Sequence, residues 1–210
     1  MIKETALRYL GYKNSEIPQN INILIDECIE EVDTLANFKH VHQTYVLTHQ
    51  PLSISALDLN LDYPDLIKLL SSCDSCVVEA CTLGIEIDRK LQYYSKINTT
   101  KMTIFDAVAS SYLEYMCDQW DKKLPTPHTF RFCPGYGNVP LTLNNKIATI
   151  LNTHKHIGLT VQESGLLLPQ KSMIGIIGFG DNASKKDCTS CLKIKDCTFL
   201  RRGTTCYKNK

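Results

Sequence analysis

The chain has 210 residues, 43% of them hydrophobic, which is enough for one large domain or for a domain with a small appendage. Twenty-three Lys and Arg stand against 22 Asp and Glu, a formal net charge of +1, so no global field favours nucleic acid or an anionic membrane as a partner. No apolar run approaches the roughly 20 residues that cross a bilayer, and Met1-Ile2-Lys3-Glu4-Thr5 lacks the apolar stretch of a secretory signal. The expected setting is the cytoplasm, where thiols stay reduced. The ten cysteines are then packing residues, metal ligands or redox groups rather than disulfides.

In chain order, a short helix over residues 4–10 is expected to stop near Gly11. Residues 19–37 form an amphipathic helix, with Ile21, Leu24, Ile25, Cys28, Ile29, Val32, Leu35 and Ala36 on one face and Asp26, Glu27, Glu30 and Glu31 away from it. Residues 38–47, rich in Val, Tyr and Thr, read as a strand, with a turn at His49-Gln50-Pro51. Pro64 suits the first turn of a helix running to Leu70. The run from Cys76 to Leu83 reads as a buried strand ending at Gly84, and residues 85–97 as a helix. Residues 101–123 are the longest periodic segment, with Phe105, Val108, Ala109, Tyr112, Leu113, Met116 and Trp120 as its core stripe, before Pro125 and Pro127 break it. Residues 141–151 are helical again, and residues 157–161, 165–168 and 172–179 read as strands. This pattern predicts an α/β chain of the α+β type, a sheet flanked by long helices. At Asp181-Asn182-Ala183-Ser184-Lys185-Lys186 the composition turns cysteine-rich and basic. Residues 182–210 are therefore expected as a small appendage to a domain over residues 1–181.

The stretch Arg131-Phe132-Cys133-Pro134-Gly135-Tyr136-Gly137 follows the Pro-broken helix. Pro134 fixes φ, Gly135 permits positive φ, and Gly137 allows close backbone approach. Arg131 offers a planar fork of donors suited to a carboxylate. Tyr136 offers a ring for stacking and a hydroxyl. Such a loop can be a plain tight turn, or it can hold a small zwitterion that bears an aromatic base.

The segment resembles the R-x-x-P-G-Y loop of the activation domain of cobalamin-dependent methionine synthase. The resemblance continues through Gly158-Leu159-Thr160-Val161-Gln162-Glu163-Ser164, then Pro169, Ser172 and Gly175, which is similar to that family's G-x-x-L-T-E-S-x4-P-x2-S-x2-G segment with Val161-Gln162 in place of its Leu-Thr pair. Residues 100–180 carry the motifs, and residues 1–100 match more loosely. The resemblance implies a helmet-like α/β domain around a twisted antiparallel sheet. It also implies S-adenosylmethionine bound in a shallow groove and presented to the cobalamin of a partner, so that an oxidised cob(II)alamin is reductively methylated. Under it, Arg131 matches the cofactor-contacting arginine and Tyr136 the loop tyrosine. Cys133 stands where the family has a small residue contacting through its backbone. Pro134, Gly135 and Gly137 complete the loop, and Glu163 is a further candidate contact. The run Gly137-Asn138-Val139-Pro140 departs from the family's Pro- and His-containing run, and the family's acidic holder of the amino group has no assigned counterpart.

Methyl transfer from a sulfonium needs positioning more than acid–base work, and the corrinoid supplies the hard chemistry. The chain has no D-x-H-x2-G corrinoid motif, since His154-Lys155-His156-Ile157-Gly158 has the wrong spacing. The cobalamin is therefore expected on a partner, the corrinoid-binding domain of a methionine synthase or related methyltransferase. This chain is then a component of reactivation rather than a self-contained catalyst. The alternatives are a corrinoid-protein scaffold that uses no S-adenosylmethionine, and a redox protein working through its tail.

In that tail, Cys188-x2-Cys191-x5-Cys197-x8-Cys206 places four thiols in reach of one metal. Zn²⁺ or an iron–sulfur cluster would fit such a set, and a cluster would imply a flavodoxin- or ferredoxin-like electron donor. Free thiols are the alternative. Cys73, Cys76 and Cys81 read as core residues despite their metal-like spacing. His40, His42, His154 and His156 read as surface residues of a strand and of a loop. Gly175-x2-Gly178-x-Gly180 fails as a phosphate loop because no helix follows it.

Overall fold

The structure is a computed structural model that describes residues 2–12, 16–180, 188, 194–201, 203 and 205. Helices α1 (Ile2–Leu10) and α2 (Gln19–Leu35) lead into strand β1 (Lys39–Val46). Three short strands follow, β2 (Thr48–His49), β3 (Leu52–Ile54) and β4 (Leu59–Asn60), then α3 (Pro64–Leu70), β5 (Ser75–Thr82), α4 (Ile85–Ile97) and α5 (Thr99–Asp121). Next come α6 (Leu143–Ile150), α7 (Thr153–Ile157), β6 (Thr160–Val161), β7 (Leu167–Leu168), β8 (Ser172–Phe179) and α8 (Thr198–Arg201). The mixed helix-and-sheet class read from the sequence is the class observed.

The main sheet has the order β1-β5-β8. Its strands alternate in direction. Asn37 N–H donates to Leu83 C=O beyond one end of the β1/β5 pair and Leu47 N–H to Asp74 C=O beyond the other. Leu83 N–H to Lys171 C=O and Asp74 N–H to Phe179 C=O flank the β5/β8 pair in the same way. The central strand β5 is buried over almost its whole length. Two compact units can be traced: Met1–Val41 with Ala80–Leu124 and Asn152–Met173, and His42–Glu79 with Pro125–Leu151 and Ile174–Lys210.

The first unit is built around α5, which packs against α1, α2 and α4. Ala6, Ile25, Cys28, Val32, Ile87, Tyr94, Phe105 and Val108 make its core. Burying one such side chain as large as Phe105 is worth about 1.5–3 kcal/mol. With three helical neighbours α5 buries more than the single stripe expected. Ile104, Ala107, Ser111 and Cys117 are buried, whereas Tyr112, Met116 and Trp120 are only partly so. Tyr112 lies at the margin because its hydroxyl donates to Asp33 Oδ1 at 2.7 Å. Asn98 caps α5 by accepting from Lys101 N–H at 2.9 Å. The strand expected over residues 157–161 is shorter. Thr153–Ile157 is a helix between left-handed Asn152 (φ 48°) and Gly158 (φ 71°), and only Thr160 and Val161 pair with β7. This corrects the loop reading of His154 and His156, which stand exposed on α7; one and a half turns are too few to show a period.

In the second unit, β2, β3 and β4 form a small antiparallel sheet with Thr48 opposite Ser53 and Ser53 opposite Asn60. Strands of two or three residues carry no legible alternation, so the sequence shows only their turn. Leu52, Ile54, Leu59, Leu66 and Leu70 are buried here.

Cys28, Cys73, Cys76, Cys81 and Cys117 are buried and form no disulfide, as packing residues should be. Burial pushes the Cys28 thiol up to about 11 and that of Cys76 up to about 12. The Cys81 and Cys117 sulfurs lie 3.2 Å apart.

Candidate functional site

The segment leading into the candidate loop lies along β8. Phe132 and Ile176 exchange both backbone hydrogen bonds at 2.9 Å, and Thr129 N–H donates to Gly178 C=O at 2.9 Å. Gly178 N–H returns a bond to Thr129 Oγ1 at 2.9 Å. This pairing fixes Arg131, whose stem runs across Gly175. A Cβ at Gly175 would collide with Arg131 Cγ and stand 2.7 Å from Cδ. The guanidinium Nε then donates to Glu79 Oε1 on β5. Both side chains are deeply buried, 9% and 4% exposed. Glu79 is the partner of the candidate loop that the sequence reading does not single out. A carboxylate inside the run Val77-Val78-Glu79-Ala80-Cys81 is itself a signal, because a buried charge demands a partner.

After Phe132 the chain turns tightly. Tyr136 N–H donates to Cys133 C=O at 3.3 Å, Val139 N–H to Tyr136 C=O at 3.1 Å, and Gly135 N–H to Val139 C=O at 2.9 Å. Pro134 is buried, Cys133 is half-buried, and Tyr136 is 61% exposed. A clamp from α3 holds the far side. Asn138 N–H donates to Asp65 Oδ2 at 3.0 Å, and Asp65 N–H donates to Asn138 Oδ1 at 3.3 Å. Gly137 has φ +56°, and a Cβ there would collide with the Asp65 carboxylate, so this position requires glycine both for its conformation and for its space. Asp65 and Asn138 were not singled out from sequence. The first-turn position of Asp65 after Pro64 was the only hint.

The downstream motif positions have local roles. Ser172 Oγ donates to Pro169 C=O at 2.6 Å and shares a hydroxyl–hydroxyl hydrogen bond of 2.8 Å with Thr82 Oγ1, tying β8 to β5. Gly175 makes room for Arg131, and Gly178 and Gly180 bring β8 against Leu70, Ser72 and Cys73. Close packing therefore accounts for that glycine series. Arg131, Cys133, Pro134, Gly135, Tyr136 and Gly137 come together in one loop of the second unit. Glu163 belongs to the first unit, exposed at the tip of the β6–β7 hairpin, where Gln162 N–H donates to Leu166 C=O at 2.8 Å. Of the tail cysteines, Cys188 and Cys197 are free and half-buried, while Cys191 and Cys206 lie outside the described residues. Among the described residues no group of three or more His, Cys, Asp and Glu could hold a metal ion, and no described helix is long and apolar enough to cross a membrane.

The first unit carries a second charged cluster. Glu27, Glu30, Glu31, Thr34, Leu35, Lys90 and Lys101 line an open groove. Glu31 pairs with Lys90 at 2.6 Å and accepts from the Tyr94 hydroxyl, and Lys90 and Lys101 both lie over the Tyr94 ring. Burial alone would raise the Glu31 carboxyl. The hydrogen bonds from Lys90 and Tyr94 and the charges of Lys90 and Lys101 outweigh it and hold the group below its ordinary range.

No protein-family model matches the sequence, and no curated protein does. Among solved structures the chain is similar to one described as the crystal structure of the MetH reactivation domain bound to AdoHcy. The likeness has a TM-score of 0.57 at 14% identity and covers 88% of this chain and 78% of that one. At that identity the two share a fold.

Proposed function

We propose that this chain is a reactivation-type module that binds S-adenosylmethionine on the loop from Arg131 to Gly137. In this reading it supports reductive methylation of cob(II)alamin carried by a separate methionine synthase or related methyltransferase in the cytoplasm. One observation carries the reading. The chain has the fold of a domain solved with AdoHcy, and its Arg131-x-x-Pro134-Gly135-Tyr136 loop is braced from both sides, with the Tyr136 ring exposed to solvent. The ligand's chemistry suits that loop. The guanidinium of Arg131 supplies donors for a carboxylate, the Tyr136 ring a stacking face for adenine, and the turn at Gly135 and Gly137 a close backbone approach. When bound, S-adenosylmethionine supplies the methyl group. The chain's own part is to hold and orient it. The backbone at Cys133 is a further contact in this reading. Residues 182–210 form an appendage to residues 1–181, with Cys188, Cys191, Cys197 and Cys206 holding zinc or an iron–sulfur cluster that takes electrons from a flavodoxin- or ferredoxin-like donor.

A shallow site completed by a partner binds its ligand at micromolar strength or weaker. Isothermal titration with S-adenosylmethionine tests this. Arg131→Lys keeps the charge beside Glu79 but loses the planar fork, and it should weaken binding by about 1.5–3 kcal/mol. Unchanged binding removes Arg131 from the site. A second reading, a corrinoid-protein scaffold that takes no S-adenosylmethionine, is favoured by the commitment of Arg131 Nε to Glu79. An absence of any heat with S-adenosylmethionine, together with binding to a corrinoid domain, would decide for it.

A further inference from the structure

Glu79 stands on the central strand, 3% exposed, and carries a charge that the core of a sheet does not need. Its partner is Arg131, held by the β8 pairing and by the room at Gly175. Removing two charges from water costs several kcal/mol per ion, and their attraction offsets this only in good geometry, so a buried pair is weak evidence for stability. The same positions filled by apolar residues would close the sheet at no such cost. What an apolar pair could not do is hold a guanidinium at the root of an exposed loop while cancelling its charge.

That cancellation bears on the class of ligand. Resting on the reading that the loop binds S-adenosylmethionine, we infer that Glu79 is a positioning and charge-setting residue that makes the site tolerant of a sulfonium cation. S-adenosylmethionine carries a sulfonium, an ammonium and a carboxylate, a net charge of about +1 at pH 7 given ordinary amino and carboxyl pKa values. The thioether left after methyl loss is neutral overall. An uncompensated Arg131 would attract the carboxylate of both ligands alike but would repel the sulfonium of only one. With Glu79 beneath it, Arg131 still orients its donors and the pair is neutral overall, so Arg131 does not penalise the charged donor against its product. The selectivity resides in a field, and it is therefore separable from the geometry of the loop.

The experiment compares S-adenosylmethionine with S-adenosylhomocysteine by titration against the wild-type chain, Glu79→Gln, Glu79→Asp and the double variant Glu79→Gln/Arg131→Gln, with circular dichroism as the check on folding. Glu79→Gln leaves one extra positive charge at the loop and should shift the ratio of the two dissociation constants against S-adenosylmethionine by roughly 3- to 10-fold, the range for unit charges some way apart in a medium between protein and water. The shift should shrink as salt is raised. Glu79→Asp keeps the charge and should keep the wild-type ratio even if both affinities fall. The double variant is neutral again and should restore the ratio while binding both ligands less well. A natively folded Glu79→Gln that weakens both ligands equally overturns the inference and leaves the proposed function standing. If Glu79→Gln does not fold, the double variant decides: the wild-type ratio supports the charge argument, and a ratio shifted toward the product overturns it. A wild-type chain that binds neither ligand overturns both.

Discussion

The Arg131–Glu79 pair and the Glu31–Lys90–Lys101 cluster place opposite charges in contact under different conditions. Arg131 and Glu79 are 9% and 4% exposed, flanked by strand backbone. Glu31 and Lys90 are 22% and 31% exposed at the rim of a groove, and the second lysine, 3.8 Å from Glu31, is 21% exposed. Water solvates the rim cluster in part, so losing one member costs little. No solvent is at hand to compensate the buried pair, so each partner is indispensable to the other although the pair adds little net stability. The depth of an ion pair therefore governs what its loss costs more than its length does.

The largest effect should come from splitting the buried pair. Arg131→Ala or Glu79→Ala should destabilise by about 3–5 kcal/mol in chemical denaturation, and Arg131→Met/Glu79→Met should recover most of that. Single losses below about 1 kcal/mol would mean that the pair is solvated after all and that the contrast fails. Next, Gly175→Ala should cost about 1–3 kcal/mol because its methyl meets the stem of Arg131. In the Arg131→Ala background much of that cost should vanish, and strict additivity in the double-mutant cycle would show that the stem lies elsewhere. Glu31→Gln at the rim should cost only about 0.2–1 kcal/mol, and less in high salt. The carboxyl of Glu31 lies below its ordinary range when folded. Its contribution is therefore full above the unfolded value of about 4.3 and fades as pH falls through the lower folded value. The stability gap between wild type and Glu31→Gln should close in acid, and a gap that widens there would reverse the sign. Tyr136→Ala, at a position 61% exposed, should alter stability by no more than about 0.5 kcal/mol while reducing affinity for S-adenosylmethionine. A large loss of stability would place Tyr136 in the packing rather than in the site.

The same contrast explains how much was legible beforehand. Long periodic segments declare themselves: α2 spans Gln19–Leu35 because it buries one face against the core and the period survives in the sequence, while the seven-residue α3 is marked by Pro64 at its start. The β2–β4 sheet and α7 are too short for a period. In the candidate site, the residues that make the turn could be read from Pro134, Gly135 and Gly137, since proline and glycine encode backbone shape directly. Those that hold the turn in place, Glu79, Asp65 and Asn138, act across 52 and 73 residues of sequence. Pairing over such separations is written in the fold and not in any local window.

The buried thiols make the chain its own reporter of motion. Cys28 belongs to the first unit, while Cys73 and Cys76 belong to the second. Only thiolate reacts with disulfide or maleimide reagents at a useful rate. With Cys28 at about 11 and Cys76 at about 12, these sulfurs are silent near neutral pH until the surrounding structure opens. Their labelling rates thus clock local unfolding on either side of the chain, with no dye or tag engineered in. Cys28 and Cys76 labelled in step would reveal one cooperative molecule. Labelling at well-separated rates would reveal two regions that breathe independently, and ligand added to such a mixture should slow only the clock of the region that holds it.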